Sequence, residues 1–161
     1  MISWVWVTTA HSLPWSLRII VCQTWVVRPR CSATHSPVTV LPAGAMGLNH
    51  TLEIDTAWTY PNSATTKTLG AYFGSFKALD RSRTTSVTET SLVRIINRAS
   101  ASAQIHPFKN ATYFTAGASA IPTSTVDTSA AVTIRITGQW GSAGAGSNNI
   151  TLESALIRIR A

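Results

Sequence analysis

Acidic side chains are scarce in this sequence. Its 161 residues include 6 Asp and Glu against 13 Lys and Arg, and no acid precedes Glu53. A glycosidase needs two carboxyl groups facing each other across a cleft, whereas Glu53 and Asp55 are expected to share the solvent-exposed face of one strand. We expect a cross-strand arginine such as Arg135 or Arg158 to pair with them. The acids therefore give no support to glycosidase chemistry.

Cysteine and histidine are equally sparse. Cys22 and Cys31 cannot complete a zinc site of four thiolates, and the sequence leaves open whether they pair. The four histidines show no metal-ligand spacing, and no Gly-x-Ser-x-Gly motif occurs. The glycine-rich residues 138–147 contain no lysine and precede a strand, so they predict a hairpin loop rather than a phosphate-binding loop. We therefore predict no enzyme activity, no metal and no cofactor.

Long hydrophobic runs and helical stripes are missing as well. The longest clean apolar run, residues 19–27, contains Gln23 and is too short to cross a bilayer, so we expect no membrane span. Ten of the 13 cations are arginines, and their tightest groups are pairs. A surface that follows a phosphate backbone needs many cations on one face. The scattered charge therefore predicts no binding of nucleic acid.

What the sequence does contain is apolar and polar residues that alternate with a period of two. The alternation is clearest in three segments, residues 51–60, 132–139 and 150–160. Successive side chains of a strand point to opposite faces, so each segment buries one face and exposes the other. With turn signals between the segments and no room for crossover helices, the pattern predicts an all-β fold. We expect an antiparallel two-sheet sandwich of jelly-roll type, with about seven to eight strands.

The remaining strands are predicted at residues 38–41, 66–76, 86–97 and 104–106, with a loop at residues 80–82. In the last strand the apolar parity changes, which predicts a β-bulge near Leu156 and Ile157. Asp127 lies between two threonines and predicts an Asx-turn.

Residues 1–36 differ from the rest of the chain. They hold four of the six tryptophans and both cysteines, and they contain no acid. Two interpretations stay open, an arm that packs against a partner and a start that is not native to the protein. In both cases we expect poor order there, and we place the β-sandwich domain at residues 37–161.

Several stretches in this second part occur in an order and spacing that resemble a domain of tailed-bacteriophage structural proteins. They are Leu41-Pro42-Ala43-Gly44-Ala45-Met46-Gly47, Leu52-Glu53-Ile54, Trp58-Thr59-Tyr60-Pro61-Asn62-Ser63-Ala64, Lys67-Thr68-Leu69, Phe73-Gly74, Arg94-Ile95-Ile96-Asn97-Arg98, Ser102-Ala103-Gln104, Val126-Asp127-Thr128-Ser129-Ala130-Ala131, Ile136-Thr137-Gly138-Gln139 and Thr151-Leu152-Glu153-Ser154. The resemblance implies a virion protein of a tail, fibre or other surface appendage, commonly a homotrimer in contact with other virion proteins. Some such proteins bind host-surface glycans, and the resemblance supplies no catalytic residues.

Three aromatic residues in predicted loops are the candidate ligand contacts. They are Tyr113 and Phe114, in the long segment 99–130, and Trp140, beside the glycine-rich loop. Sugar rings stack on aromatic faces, and loops on a rigid scaffold often carry recognition. The alternatives are that these rings cap the ends of the sandwich or fill a subunit interface. The sequence therefore offers glycan recognition during host attachment as an alternative to a purely structural role.

Overall fold

The computed structural model describes residues 18–21, 25–27, 38–107, 120–141 and 149–161, and none of these residues lies in a helix. Nine of the strands in these ranges are three residues or longer, and two have only two residues. The strands are β1 (Arg18–Val21), β2 (Trp25–Val27), β3 (Val38–Leu41), β4 (Thr51–Thr59), β5 (Lys67–Phe73), β6 (Phe76–Arg83), β7 (Thr88–Asn97), β8 (Gln104–Ile105), β9 (Thr123–Ser124), β10 (Val132–Trp140) and β11 (Ile150–Arg160). The prediction of an all-β chain is confirmed.

The strands form two antiparallel sheets. The larger sheet has the order β1-β11-β4-β7-β8-β9, and β2 also pairs with β11. The smaller sheet has the order β3-β10-β5-β6. Buried apolar side chains from both sheets form one core, with Ile54 and Ile157 among those of the larger sheet and Phe73 and Ile134 among those of the smaller. The chain is therefore a two-sheet β-sandwich, as the alternating pattern predicted.

The order of the strands is that of a jelly roll. With β1 and β2 counted as one interrupted strand, and the short β8–β9 ribbon set aside, eight strands remain. They pair as nested antiparallel partners: β5 with β6, β4 with β7, β3 with β10, and the first strand with β11. Successive nested pairs belong to alternate sheets, which is how a long hairpin rolls up into two Greek keys.

The core requires a close approach of the two sheets at one point. Gly138 on β10 faces the Trp58 side chain of β4 and Ile150 of β11, across the sandwich. A Cβ atom at position 138 would lie 3.0 Å from Ile150 Cγ2 and 3.1 Å from Trp58 Cζ3. Glycine therefore provides the space that the buried Trp58 ring occupies.

The prediction of a single strand at residues 66–76 followed by a loop at 80–82 is wrong. The chain turns at Gly74 and Ser75 and returns as β6, which contains residues 80–82. Gly74 has a φ of 57°, in the left-handed region that glycine adopts readily. The adjacent residues Ala78 and Leu79 are both buried, and the β5–β6 register shifts between Ala71 and Tyr72. These features interrupt the alternation, so the apolar and polar residues of β6 show no continuous period of two.

The bulge of the last strand lies earlier than predicted. The register between β11 and β4 shifts between Leu152 and Ser154, not near Leu156. Glu153 and Ser154 are both exposed, and Glu153 accepts a hydrogen bond from Thr59 Oγ1. After this point Ala155, Ile157 and Ile159 are buried. The change of parity is therefore real, but two consecutive exposed residues produce it.

Two other local predictions fall on described residues. The Asx-turn is confirmed, because Asp127 Oδ1 accepts hydrogen bonds from the Ser129 amide at 2.9 Å and the Ser129 hydroxyl at 2.6 Å.

In the first 36 residues, β1 and β2 both pair with β11 at one side of the larger sheet. The division of the chain near residue 37 stays a prediction.

We expect Gly138→Val to destabilise the fold by about 1–3 kcal/mol, because its side chain overpacks the contact between Trp58 and Ile150. Urea unfolding followed by circular dichroism measures the change. Thr133→Val, on the exposed face of the same strand, serves as a control and should change the free energy of unfolding by less than about 0.5 kcal/mol. Equal stability of Gly138→Val and the wild type would contradict the close approach of the sheets.

Candidate functional site

The outer face of the smaller sheet carries a groove built from three rows of residues paired across its strands. The first row runs Val38, Arg135, Tyr72 and Lys77, from β3 to β6. The second row contains Thr137, Gly70 and Asp80, and the third contains Gln139, Thr68 and Ser82. The groove has a volume of about 380 Å³ and is lined by Val38, Thr68, Tyr72, Lys77, Arg135, Thr137 and Gln139.

Gly70 forms the floor of this groove. It lies on the outward-facing side of β5, yet it is buried, because the side chains around it lean over it. A Cβ atom at position 70 would lie 2.6 Å from Thr137 Oγ1, 3.4 Å from Tyr72 Cε2 and 3.5 Å from Lys77 Cε. The missing side chain therefore opens the depression, and the hydroxyl, ring and ammonium-bearing chain around it form the walls.

Two cations lie beside the aromatic ring of the groove. The Arg135 guanidinium carbon is 4.3 Å from the centre of the Tyr72 ring, and Lys77 Nζ is 5.9 Å from it. Lys77 also forms an ion pair of 2.7 Å with Asp80. No acidic side chain of the described residues forms an ion pair with Arg135. Within the described part of the chain, the groove thus presents the Arg135 guanidinium without a carboxylate partner, next to the Tyr72 ring and together with hydroxyl and amide groups.

Trp140, one of the three candidate ligand contacts, lies at the end of β10 and packs on a buried lysine. Lys67 Nζ is 5.3 Å from the centre of the Trp140 ring and 5.5 Å from that of Tyr60. The ammonium donates hydrogen bonds to the Ser63 carbonyl at 2.9 Å and to the Thr84 carbonyl. Trp140 is partly buried and packs against the hydrophobic core, so part of its ring is covered within the fold. Contact of Trp140 with a ligand or subunit stays a prediction.

Lys67 is fully buried, with none of its surface exposed to solvent. Burial lowers the pKa of its ammonium, because removal from water disfavours the charged form. The two carbonyls and two aromatic rings replace part of the lost hydration. Burial also raises the pKa of the neighbouring Tyr60 hydroxyl, and the charge of Glu89 adds to this effect.

The other two candidates, Tyr113 and Phe114, lie outside the described residues. Their proposed contacts with a ligand or subunit therefore stay predictions.

On the outer face of the larger sheet, Glu53 is surrounded by arginines. Its carboxylate forms ion pairs with Arg94 at 3.0 Å, with Arg160 at 2.9 Å, and with Arg158. Arg158 and Arg94 pair directly with Glu53 in the strand register, from β11 and β7. The expectation of a cross-strand arginine is confirmed for Arg158, whereas Arg135 lies in the other sheet. The expectation that Glu53 is solvated is wrong, because the arginines leave only 2% of its side chain exposed.

The arginines determine the ionisation of Glu53. Burial by itself would raise its pKa, but the hydrogen bond and charge of Arg158, with the charge of Arg160, outweigh burial and hold the pKa below its ordinary value. The carboxylate therefore stays ionised and serves as the counter-ion that orients three guanidinium groups. An ionised carboxylate held by three arginines can stabilise the fold, whereas a catalytic proton donor must first carry a proton.

A buried network links the β8–β9 ribbon to the rest of the sandwich. His106 Nε2 lies 2.8 Å from Ser124 Oγ, which in turn donates to Gln104 Oε1 at 3.0 Å. Because the serine proton goes to Gln104, His106 Nε2 is the donor in its own contact. The His106 ring also stacks on Phe76 of the smaller sheet, with 4.0 Å between ring centres. The serine and histidine are thus held as a structural pair, since the histidine is not placed to remove the serine proton.

Sequence reasoning missed the groove, although part of its signal was visible. The inward parity of Leu69, Ala71 and Phe73 implies that Thr68, Gly70 and Tyr72 face outward, and a glycine there marks a gap in the surface. The register that brings Arg135 beside Tyr72 was not readable, because β6 and the pairing of β10 with β5 were not predicted.

The comparisons with known proteins add no family. A scan against models of protein families finds no match, and a search of curated proteins finds none. In the described part of the chain, no helix has the length and apolar character needed to cross a membrane. The same residues contain no group of three or more His, Cys, Asp or Glu side chains arranged to hold a metal ion. What is established is the class, an all-β jelly-roll sandwich.

We expect Glu53→Gln to lower the free energy of unfolding by about 1–3 kcal/mol at neutral pH, because three partly exposed arginines lose their counter-ion. Since the folded pKa lies below the unfolded one, this contribution is present above the ordinary value of 4.5 and is lost as the pH falls through the folded pKa. Urea unfolding at a series of pH values measures both effects. Asp55→Asn, which removes an exposed carboxylate from the same strand, is the matched control at neutral pH. Equal losses in both variants would contradict the role of the cluster.

We expect the stability of the wild type relative to Lys67→Met to rise as the pH is raised toward 10.5. The folded state releases the Lys67 proton at a lower pH than the unfolded state, whose ordinary value is 10.5. In this range the unfolded chain binds more protons, so raising the pH favours the folded state. Denaturant unfolding of both proteins between pH 8 and 10 provides the measurement. Stability curves that stay parallel over this range would show that burial does not shift the Lys67 pKa.

Proposed function

We propose that this chain is a structural protein of a tailed-bacteriophage particle. In this proposal it belongs to a tail, fibre or other surface appendage of the virion. Its sandwich assembles with further copies of the chain, and the resemblance implies that the assembly is a homotrimer. The assembled sandwich also contacts other virion proteins. Two features support the proposal. The resemblance to phage structural proteins covers about residues 37–161, and the jelly roll is an architecture common among viral capsid domains.

The observation that carries the proposal of assembly is the open side of β3. This strand is the last of the smaller sheet on one side, and β10 is its only partner among the described strands. Its outward-facing residues Val38 and Val40 are 49% and 54% exposed. An exposed edge strand offers unpaired backbone groups to another chain, and soluble monomers usually protect such an edge with charge or proline. The two valines favour contact with a second copy.

Assembly requires no catalytic group, only rigid and complementary surfaces. The nested pairs and the single core supply rigidity, because displacing one strand would break its pairing within its own sheet and its packing against the other sheet. The Glu53 cluster holds β4, β7 and β11 together on the opposite face. In this proposal the larger sheet stabilises the sandwich, and the edge strand β3 forms the contact with the next copy.

We expect the purified chain to be an oligomer at micromolar concentration, by size-exclusion chromatography with light scattering. Val40→Lys should shift it toward monomer, because a lysine on an edge strand opposes edge-to-edge pairing. Val87→Lys, at a residue that is 50% exposed and outside β3, is the matched control and should leave the mass unchanged. A strict monomer at high micromolar concentration would overturn the proposal of self-assembly.

The assignment to a virion has its own test. Mass spectrometry of purified phage particles whose genome encodes this chain should detect its peptides, with those of residues 38–161 among them. Complete absence from particles that contain their other structural proteins would overturn the assignment.

A second candidate function is glycan recognition during host attachment. The specific observation in its favour is the groove above Gly70, which combines an aromatic ring with hydroxyl, amide and cationic groups on a rigid sheet. Ligand sites often place a few convergent polar groups in a preformed depression. This candidate does not exclude the first, because a surface appendage can both build the particle and contact the host.

A further inference from the structure

We infer that the groove above Gly70 binds an acidic saccharide, with Arg135 as the group that receives a sugar carboxylate. This inference rests on the glycan-recognition candidate and adds the ligand class and the residues. It does not depend on the proposal of assembly.

The charge of the groove favours an anion. Of its two cations, Lys77 is paired with Asp80 at 2.7 Å, which leaves Arg135 without an acidic partner in the described part of the chain. The Arg135 guanidinium carbon lies over the Tyr72 ring, 4.3 Å from its centre, and this contact holds the cation beside the groove. A guanidinium in this setting matches the geometry of a carboxylate and binds it through two parallel hydrogen bonds. The groove is therefore organised around a planar anion.

The remaining lining favours a polyhydroxylated ligand over a simple ion. Thr137 and Thr68 offer hydroxyl groups and Gln139 offers an amide, in the two rows that follow Arg135 along the sheet. From Arg135 to Gln139 the strand advances about 13 Å, which is long for one small anion. Hydroxyl and amide groups that both donate and accept hydrogen bonds suit sugar hydroxyls. An acidic oligosaccharide uses both ends of the groove.

The lining also argues against a peptide. Val38 is the single aliphatic side chain among the seven lining residues, so the groove has little to receive apolar side chains. The backbone of β5, which forms the floor of the groove, is paired along its whole length with β10 on one side and β6 on the other, so no free strand edge lies at this floor for a peptide to extend.

The space for the ligand depends on Gly70. Any side chain there meets the Thr137 hydroxyl, the Tyr72 ring and the Lys77 chain at once. The groove is thus a property of one glycine at an outward position, between Thr68 and Tyr72.

Isothermal titration calorimetry on the full chain, at low salt, tests the inference with three probes. An oligogalacturonate supplies a carboxylate on each sugar, its methyl-esterified form supplies the same backbone without charge, and a single-stranded DNA oligonucleotide supplies anionic charge without sugar carboxylates. We expect the oligogalacturonate to bind and the other two to bind at least about tenfold more weakly. Added salt should weaken the binding, because it screens the charge.

Arg135→Gln should weaken oligogalacturonate binding by about tenfold, since it removes one charge-assisted contact. Arg98→Gln removes the same charge from an exposed position after β7 and should leave the affinity unchanged. Gly70→Ala should also weaken binding, because the methyl group fills the floor. Thermal unfolding of each variant establishes that the fold is intact, and Arg135 is exposed enough for its replacement to be tolerated.

The outcomes separate the inference from the glycan-recognition candidate. Equal binding of the charged and esterified sugars, or no effect of Arg135→Gln, would overturn the acidic class and leave glycan recognition in place. DNA binding as tight as sugar binding, and weakened equally by Arg98→Gln, would show general charge attraction and overturn the inference. No binding of either sugar would overturn the inference and remove the support that the groove gives to glycan recognition.

Discussion

The inward burial of alternate residues on β5 and β10 is the constraint on which the rest of the smaller sheet depends. Leu69, Ala71 and Phe73 on β5 face the core together with Ile134 and Ile136 on β10. Their outward neighbours are therefore fixed as well, and the register between the strands places Arg135 beside Tyr72 and Thr137 beside Gly70. A slip of one residue would expose the core side chains. The hydrophobic effect thus positions the groove, although no groove residue contributes much to the core.

The two faces of the sandwich use arginine in opposite ways. On the larger sheet, three arginines converge on the buried Glu53 carboxylate, so their charge is partly balanced within the fold. On the smaller sheet, the Arg135 guanidinium lies over the Tyr72 ring and has no acidic partner among the described residues. The cations behind the net charge of +7 therefore have different roles on the two faces. Those of the larger sheet stabilise the fold, whereas Arg135 on the smaller sheet is available to a ligand.

The sequence predicted best those elements in which apolar and polar residues alternate over most of the strand. The bounds of β3 and β11 match the prediction, and those of β4 and β10 differ by one residue. The elements it missed are those where a second constraint interrupts the pattern, such as the consecutive buried residues Ala78 and Leu79 of β6. The candidate site was harder to predict than the strands, since the pairing of strands that are distant in the chain leaves no pattern in the local sequence. Glu53 looks solvated in the sequence because its cover comes from residues more than 40 and 100 positions away.

Arg135 of the groove has a consequence for the environments in which the proposed contact can form. A guanidinium is a permanent cation over the pH range that a folded protein withstands, whereas the carboxylate of a sugar is a weak acid. In the proposed contact, acid would therefore weaken binding by protonating the sugar.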